Sequence, residues 1–176
     1  MEQNNVERLR TGIALMRQLT TLLLLCIVFA VPAAAASSQF KGRVVAVADG
    51  DTITVLTQDK QQVKIRLYGI DCPESRQPFG TRAGQATSKA VFGKDVTVKP
   101  VETDRYGRTV AIVLLPSGED LNTILLREGM AWVYQKFCKH SEICGSYRQL
   151  EHQAKSEKRG LWKDANPIAP WEWRRR

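Results

Sequence analysis

Three short β-patterned segments, joined by very short connections, constrain the fold of this chain more than any other feature. The segments are GRVVAVA (42–48), TITVLT (52–57) and QVKIRLYGI (62–70), and each is rich in Val, Ile and Thr that alternate with polar residues. The loop TQDKQ between the second and third segments is a hairpin signal, so these two strands should pair antiparallel. The chain is therefore predicted to begin its folded part, from Phe40, as a β-sheet.

Two further strands and about three helices complete the predicted fold. Helices are expected at 80–93, at 118–129, where acidic residues occupy the first turn and a glycine follows the end, and at 146–162; strands are expected at 94–101 and 107–115. Five short strands, with one helix after the third and others after the fifth, predict an α+β fold. Its centre is a five-stranded, partly open Greek-key barrel of OB type.

The N-terminal residues 1–36 are predicted to be a secretory signal peptide. Three arginines precede the uncharged run 19–36, which has a short apolar centre and ends in four alanines after Pro32. Cleavage after Ala35 or Ala36 would leave no membrane span and would export the protein to the periplasm or the medium. The alternative is a retained membrane anchor, since ~18 apolar residues just span a bilayer.

The remaining segment, 37–176, is predicted to be one domain with its core at about 42–163 and a short basic tail, DANPIAPWEWRRR, over the surface. Residues 1–36 hold three of the 26 basic and two of the 18 acidic residues, so 23 basic and 16 acidic residues, a net charge of +7, remain on 140 residues. A basic exported domain is typical of proteins that meet nucleic acid, an anionic envelope polymer or a lipid surface. Charge alone does not choose among these partners.

Three of the four cysteines lie outside the predicted signal peptide: Cys72, Cys138 and Cys144. In an oxidising compartment the close pair in CKHSEIC is the candidate disulfide, Cys138 with Cys144, worth roughly 2 kcal/mol in the chain-entropy description. The alternatives are two free buried thiols, or a metal site that includes His140. A structural zinc site, however, wants a fourth ligand.

Two aspartates are expected to meet at one end of the predicted hairpin. If the hairpin turns about residues 59 and 60, Asp51 arrives opposite residues 69–71 and therefore close to Asp71. Two carboxylates with no histidine nearby form an oxygen-only site, which favours a hard cation such as Ca²⁺ over zinc or copper. Two carboxylates are too few, so water, a backbone carbonyl and a substrate oxygen would complete the site. For DGDT alone, a simple turn is the alternative.

Two arginines and a glutamate supply the complementary chemistry. Arg66 and Arg108 each offer a planar fork of donors to phosphate oxygens and remain protonated, which suits a phosphodiester whose negative charge grows in the transition state. Glu74 is the candidate base, able to orient and deprotonate a water. The alternative for each arginine is a surface ion pair with Asp104 or Glu102.

Bringing Arg66 and Asp71 into one site requires the third strand to break. In a straight strand these two residues would lie on opposite faces and roughly 16 Å apart, at ~3.3 Å per residue. Gly69, which has no Cβ, is the expected position of a bulge, and Pro73 should end the strand. We therefore expect a bend near Gly69 or Ile70 that swings Asp71 and Glu74 to the side of Arg66.

The segments DGDTITV, RLYGIDCPE and DRYGRTVAIV together resemble the signature segments of the staphylococcal (micrococcal) nuclease family. The similarity continues through LNTILLREGMAWVY and QAKSEKRGLW, so it covers about residues 42–163. It implies an OB-fold barrel and a Ca²⁺-dependent endonuclease, a phosphodiesterase that cuts DNA and RNA to 3′-phosphate products, expected to act as a monomer.

The resemblance also implies residue roles. It assigns metal binding to Asp51, Asp71 and the backbone carbonyl of Cys72, catalysis to Arg66, Glu74 and Arg108, and the nucleotide pocket to Tyr106, Tyr134 and Trp132. Stacking on bases suits a sequence-tolerant nuclease, although WVY could equally be core. The chain departs from the family's prototype at Cys72, in a shorter and less lysine-rich segment after Glu74, and in the CKHSEIC insertion.

Two other functions are compatible with such a barrel. A non-catalytic OB module that binds nucleic acid would be expected to lack one or more of Asp51, Arg66, Glu74 and Arg108, and this chain has all four. A basic envelope-binding domain would leave the convergence of the acidic and basic residues without a purpose. The sequence therefore favours the nuclease.

Overall fold

A closed five-stranded barrel is the centre of the protein, whose computed structural model describes residues 38–176. The predicted signal peptide, 1–36, lies outside the described residues. The strands in chain order are β1 (Phe40–Val47), β2 (Thr52–Thr57), β3 (Gln62–Leu67), the short β4 (Ile70–Asp71), β5 (Asp95–Thr103), β6 (Thr109–Leu114) and the short β7 (Trp132–Val133). The helices are α1 (Gly80–Val91), α2 (Leu121–Arg127), α3 (Ser141–Ser156) and α4 (Pro170–Trp173), with a 3₁₀ turn at Gly160–Lys163.

The barrel order is β1-β2-β3-β6-β5, and β5 pairs back onto β1. All of its pairs are antiparallel except β3 with β6. This confirms the predicted α+β fold and its five-stranded OB-type barrel, which is closed rather than partly open. In residues 38–176 no helix is long and apolar enough to cross a membrane.

The interior is filled by alternate residues of the barrel strands, as the period-2 pattern predicts. Fully buried branched side chains from the strands form its centre: Val44, Ile53, Val55, Ile65, Val98 and Val113. Helix α2 closes the core with Leu121, Leu125 and Leu126, and packs against both α1 and α3. Helix α2 starts at a true N-cap, because the Asp120 carboxylate accepts a hydrogen bond from the Asn122 N–H at 3.0 Å.

The last long helix differs from its predicted range at both ends. Helix α3 begins at Ser141, five residues before the predicted start, because the CKHSEIC segment is not a separate insertion loop. Its second cysteine, Cys144, lies inside the helix and is bonded to Cys138, with the two sulfurs 2.01 Å apart. The helix ends at Ser156, and the chain then turns so that Leu161 and Trp162 pack against Ala154.

The third strand breaks near Gly69, as predicted. Strand β3 ends at Leu67, Gly69 takes a left-handed φ of +69°, and the chain resumes as β4, which pairs with β7. The Tyr68 carbonyl accepts a hydrogen bond from the buried Asn122 side chain at 2.6 Å. The Tyr68 hydroxyl accepts one from the Lys139 N–H at 2.7 Å. The corner is therefore fixed from two sides.

The predicted hairpin register is wrong by about two residues. Thr52 pairs with Arg66, and the Leu67 N–H donates to the Asp51 carbonyl at 2.9 Å, so the backbone of Asp51 lies opposite residue 67 rather than 69–71. The tight turn begins at Thr57, whose N–H donates to the Gln61 carbonyl at 2.9 Å. It is the corner after Tyr68, rather than the register, that brings Asp71 back toward Asp51.

Substituting Gly69 should test the corner directly. Gly69→Ala adds a Cβ in a left-handed conformation, 2.6 Å from the Cys138 sulfur, whereas Gly93→Ala adds one at a φ of +72° with nothing within 4 Å. We expect a loss of about 3 kcal/mol in the free energy of unfolding for Gly69→Ala and about 1 kcal/mol for the Gly93→Ala control. Urea unfolding measures both. Equal losses would show that the corner does not pack against the disulfide.

Candidate active site

The Arg66 guanidinium bridges two buried carboxylates at the end of the β2–β3 hairpin. Asp51 and Asp71 are only 2% and 1% exposed. One nitrogen of Arg66, Nη1, contacts Asp51 Oδ1, and the other, Nη2, lies 2.6 Å from Asp71 Oδ1. The structure therefore brings these three predicted site residues together, well inside the distance that one phosphate would span.

The DGD turn and the strand corner orient the two aspartates. Asp51 Oδ2 accepts a hydrogen bond from the Cys72 N–H at 2.7 Å, and the Asp51 N–H donates to the Asp49 carboxylate at 3.0 Å. The backbone near Asp51 is also held by Thr87, whose hydroxyl donates to the Gly50 carbonyl. Both aspartates thus project from backbone that is fixed by neighbouring elements.

Cys72 lies beneath this pair with a buried, free thiol. Burial raises the pKa of the Cys72 thiol far above its ordinary value, and the nearby Arg66 offsets only part of this effect. A thiol that remains protonated is neither a nucleophile nor a good metal ligand. The contact that the structure shows between Cys72 and the carboxylate pair is made by its backbone N–H, which donates to Asp51.

Glu74 lies on the loop after β4 with its side chain partly exposed. Gln77, which the sequence analysis did not single out, holds the loop: its side-chain oxygen accepts the Glu74 N–H at 3.1 Å, and its own N–H donates to the Glu74 carbonyl at 2.8 Å. Helix α1 begins against the same carbonyl at Gly80, where any Cβ would clash with it. The absence of a side chain at Gly80 therefore determines how closely the loop packs.

Arg108 makes its hydrogen bonds within its own turn. Its Nε donates to Asp104 Oδ2 at 2.7 Å, the Arg108 and Tyr106 N–H groups both donate to Asp104 Oδ1 at 2.9 Å, and the turn is completed by Gly107 at a φ of +76°. Burial by itself would raise the pKa of Asp104, but the hydrogen bonds from Arg108 and Tyr106 outweigh it, so the pKa of Asp104 is lowered. Within residues 38–176 the Arg108 ion pair is with Asp104, the surface pair that the sequence analysis gave as the alternative.

The three predicted pocket aromatics occupy different environments. Tyr106 is 68% exposed, and the Arg105 and Arg108 guanidiniums lie over its ring at 4.7 and 5.6 Å. Tyr134 stacks on Trp171, with ring centroids 4.8 Å apart and planes at 12°. Trp132 is half-buried among other tryptophans, which makes it mainly a packing residue.

The C-terminal tail reaches the site, which the sequence analysis did not predict. Arg174, one residue beyond α4, donates to Asp71 Oδ2 at 2.7 Å and to Glu74 Oε1 at 2.5 Å. The hydrogen bond to Asp71 raises the pKa of the Arg174 guanidinium. Burial partly offsets this rise, and the hydrogen bond to Glu74 adds to it. The tail therefore lies over the surface and in addition brings one side chain to the site. The signal that could have indicated this contact is its WEW sequence, which supplies apolar rings for docking.

The donor set around Asp51 and Asp71 is suited to a hard cation. The reachable side-chain donors are carboxylate oxygens, and the carboxylate charge is balanced by guanidiniums that a cation could replace. In the described part of the chain no group of three or more His, Cys, Asp and Glu side chains is arranged to hold a metal ion. A cation here would therefore need further oxygens from backbone, water or substrate.

The OB-type barrel with this carboxylate and arginine cluster defines a class of protein, and the comparisons with known proteins name it. The profile described as "Staphylococcal nuclease homologue" matches residues 64–164. The chain belongs to the staphylococcal nuclease family.

Individual relatives agree with this assignment. The chain is 40% identical over 146 residues to a micrococcal nuclease of Shigella flexneri, covering 78% of this chain and 82% of that protein. It is 39% identical over 157 residues to an uncharacterized endonuclease of Haemophilus influenzae, covering 89% and 84%. It is also 37% identical over 115 residues to the staphylococcal-like nuclease CAN1 of Arabidopsis thaliana, covering 65% and 34%.

Arg66 should stabilise the folded protein, because it neutralises the two buried carboxylates. Arg66→Gln leaves two almost fully buried carboxylates without their shared counter-ion, so we expect a loss of about 3 kcal/mol in the free energy of unfolding without metal. Arg43→Gln, which breaks the solvent-exposed pair with Asp95, should change the free energy of unfolding far less, because water and salt screen that pair. Chemical denaturation in a chelating buffer measures both. Similar small losses would show that Arg66 does not neutralise the pair.

Proposed function

We propose that this protein is an exported, Ca²⁺-dependent nuclease that hydrolyses the phosphodiester bonds of DNA and RNA to 3′-phosphate products. The observation that carries the proposal is the pair of almost fully buried aspartates that share one guanidinium. Burying two like charges side by side is costly unless a positive charge accompanies them. Such an arrangement is typical of a site that binds charge.

Asp51 and Asp71 are the residues that would hold the metal, with the backbone carbonyl of Cys72 as the third protein ligand. Bound Ca²⁺ would supply positive charge beside the phosphate. Only oxygen donors are proposed, in keeping with the preference of Ca²⁺. The buried, protonated thiol of Cys72 takes no part.

The arginines would bind and stabilise the phosphate. Arg66 contacts both proposed metal ligands through its terminal nitrogens, so its positive charge lies beside the position proposed for the phosphate. Arg108 is oriented through Nε by Asp104, and in residues 38–176 its two terminal nitrogens have no hydrogen-bond partner. Those nitrogens are therefore available to a phosphate whose charge increases in the transition state.

Glu74 would be the general base. Its side chain is 37% exposed, so water can reach it, and Gln77 fixes the backbone beneath it. A carboxylate that can be approached by water and lies beside Asp71 can orient a nucleophilic water and accept its proton.

The proposed substrate is DNA or RNA that is single-stranded or locally unwound. Tyr106 and Tyr134, with Trp132 behind them, are the proposed base-stacking residues, and stacking tolerates any base and either sugar. The relatives named nucleases and endonucleases support the class of reaction. Export follows from the predicted signal peptide, and the disulfide between Cys138 and Cys144 is consistent with an oxidising compartment.

Activity should depend on the metal and on the two aspartates together. With Ca²⁺ present we expect cleavage of labelled DNA and RNA, and with a chelator none. Asp71→Asn should weaken Ca²⁺ binding and cleavage in parallel by ~10²-fold or more, while Asp59→Asn, at the exposed hairpin turn, should change neither. Full activity of Asp71→Asn in chelator would exclude the mechanism.

The proposed catalytic residues should affect turnover with the fold intact. Glu74→Gln and Arg108→Ala should each lower turnover by ~10²-fold or more, whereas Glu102→Gln, an exposed control on β5, should not. Single-turnover cleavage assays, with circular dichroism to verify folding, measure this. Retention of DNA binding with no cleavage in the wild-type protein would instead identify the non-catalytic OB module.

A further inference from the structure

The C-terminal tail is anchored to the protein before it reaches the site. The Gln77 side chain donates to the Ile168 carbonyl at 2.6 Å, and this is the same side chain that holds the Glu74 loop. Helix α4 then starts at Pro170, a residue well suited to the first helical position. The anchor and the helix start together aim the next few residues at the site.

Trp171 covers the aromatic residues proposed to bind bases. It stacks on Tyr134 at 4.8 Å and meets Trp132 edge to face at 5.8 Å. A base stacked on this face of Tyr134 would need the space that Trp171 fills. Of the three aromatic residues proposed to bind bases, Tyr106 is the one that is mostly exposed within residues 38–176.

Arg174 joins two carboxylates that have different proposed roles. One terminal nitrogen bonds to Glu74 and lies 3.3 Å from Asp71 Oδ1, and the other bonds to Asp71 Oδ2. Both oxygens of Asp71 are thus in contact with guanidinium nitrogens of Arg174, and one also contacts Arg66. A cation could not use Asp71 fully without displacing Arg174.

The charges in the cluster favour such a displacement. Three carboxylates, on Asp51, Asp71 and Glu74, face two guanidiniums, on Arg66 and Arg174, which leaves one net negative charge. Replacing Arg174 by a divalent cation would bring the cluster to neutrality. Arg174 is 41% exposed, so the arginine can leave toward solvent without crossing the core.

We propose that the segment 170–174 is an intramolecular competitor of both ligands of the site, with Arg174 in the place of the divalent cation at Asp71 and Trp171 in the place of a base on Tyr134. This inference rests on the proposed function, because it takes Asp71 as a metal ligand and Tyr134 as a base-stacking residue. Its consequence is a tail that covers the site of the metal-free protein and is released when Ca²⁺ binds.

The rival explanation is that Arg174 is a third phosphate-binding arginine. That role would leave Asp71 and Glu74 free for metal and water, whereas Arg174 bonds to both of them. It would also not require Trp171 to cover Tyr134. The two explanations differ in the effect of the arginine on metal affinity, because a competitor lowers it and a phosphate ligand does not.

Calorimetric titration of the protein with Ca²⁺, without nucleic acid, separates them. We expect Arg174→Gln to bind Ca²⁺ about 10-fold more tightly than the wild-type protein, and Trp171→Ala to bind more tightly by a smaller factor. The control is Arg175→Gln, since the Arg175 side chain has no hydrogen-bond or ion-pair partner within residues 38–176. It should bind like the wild-type protein.

Hydrogen exchange gives a second readout that does not depend on activity. The N–H groups of Glu172, Trp173 and Arg174 donate to carbonyls at the start of α4, at 3.0 Å each. Adding Ca²⁺ should speed the exchange of these amides in the wild-type protein. In Arg174→Gln they should exchange fast with or without Ca²⁺.

The outcomes distinguish this inference from the proposed function. Unchanged or weaker Ca²⁺ binding by Arg174→Gln, or no Ca²⁺ binding by either protein, overturns the competitor. If turnover of Arg174→Gln also falls by ~10²-fold, the phosphate-binding role replaces it. If Arg174→Gln binds Ca²⁺ more tightly but neither it nor the wild-type protein cleaves nucleic acid, the competitor is supported and the nuclease is rejected. If the wild-type protein cleaves nucleic acid in a Ca²⁺-dependent way but both proteins bind Ca²⁺ equally, the nuclease is supported and the competitor is rejected.

Discussion

The shared burial of Asp51 and Asp71 against Arg66 is the interaction on which the rest of the site depends. Two carboxylates that are almost completely removed from water repel each other and lose their hydration, so they need a cation between them. In the structure that cation is the guanidinium of Arg66. The same residue is proposed to bind phosphate, so one side chain serves both the packing of the carboxylates and the chemistry of the site.

The corner at Gly69 makes this arrangement possible. A regular β3 would send Asp71 away from Arg66, and the left-handed residue turns the chain into β4 instead. Asn122 on α2 and the backbone ahead of α3 hold the corner through Tyr68. The helices after the barrel therefore do more than cover its core, since they determine where one of the two aspartates lies.

Local patterns predicted most of the fold and the carboxylate–arginine pairing. The strands and helices follow from period-2 and period-3.6 spacing, and the break at Gly69 follows from a steric requirement, because a straight strand would hold Arg66 and Asp71 on opposite faces. The hairpin register was missed because it depends on where the turn between Thr57 and Gln61 closes, and a two-residue shift leaves the alternation of faces unchanged. The start of α3 was missed because two close cysteines suggest a cross-linked loop, whereas only Cys138 precedes the helix and Cys144 lies inside it.

The position of the tail could not be predicted in the same way. It depends on contacts between residues about a hundred positions apart, such as Arg174 with Asp71 and Gln77 with Ile168, and no local periodicity encodes such pairings. Arg108 shows that a local motif can also leave the partner of a side chain undecided. The DRYGR segment indicates an arginine near an aspartate, but the spacing alone does not decide whether its partner is that aspartate or a distant phosphate, and in the structure it is Asp104.

The bond between Cys138 and Cys144 links the order of the site to the redox state of the surroundings. The Cys138 sulfur lies 2.6 Å from where a Cβ on Gly69 would be, so the cross-link is packed directly against the corner that presents Asp71. In a reducing compartment this cross-link would not persist, and the segment that packs against the corner would lose its covalent tie to α3. The corner that presents Asp71 is therefore better supported in an oxidising compartment than in a reducing one.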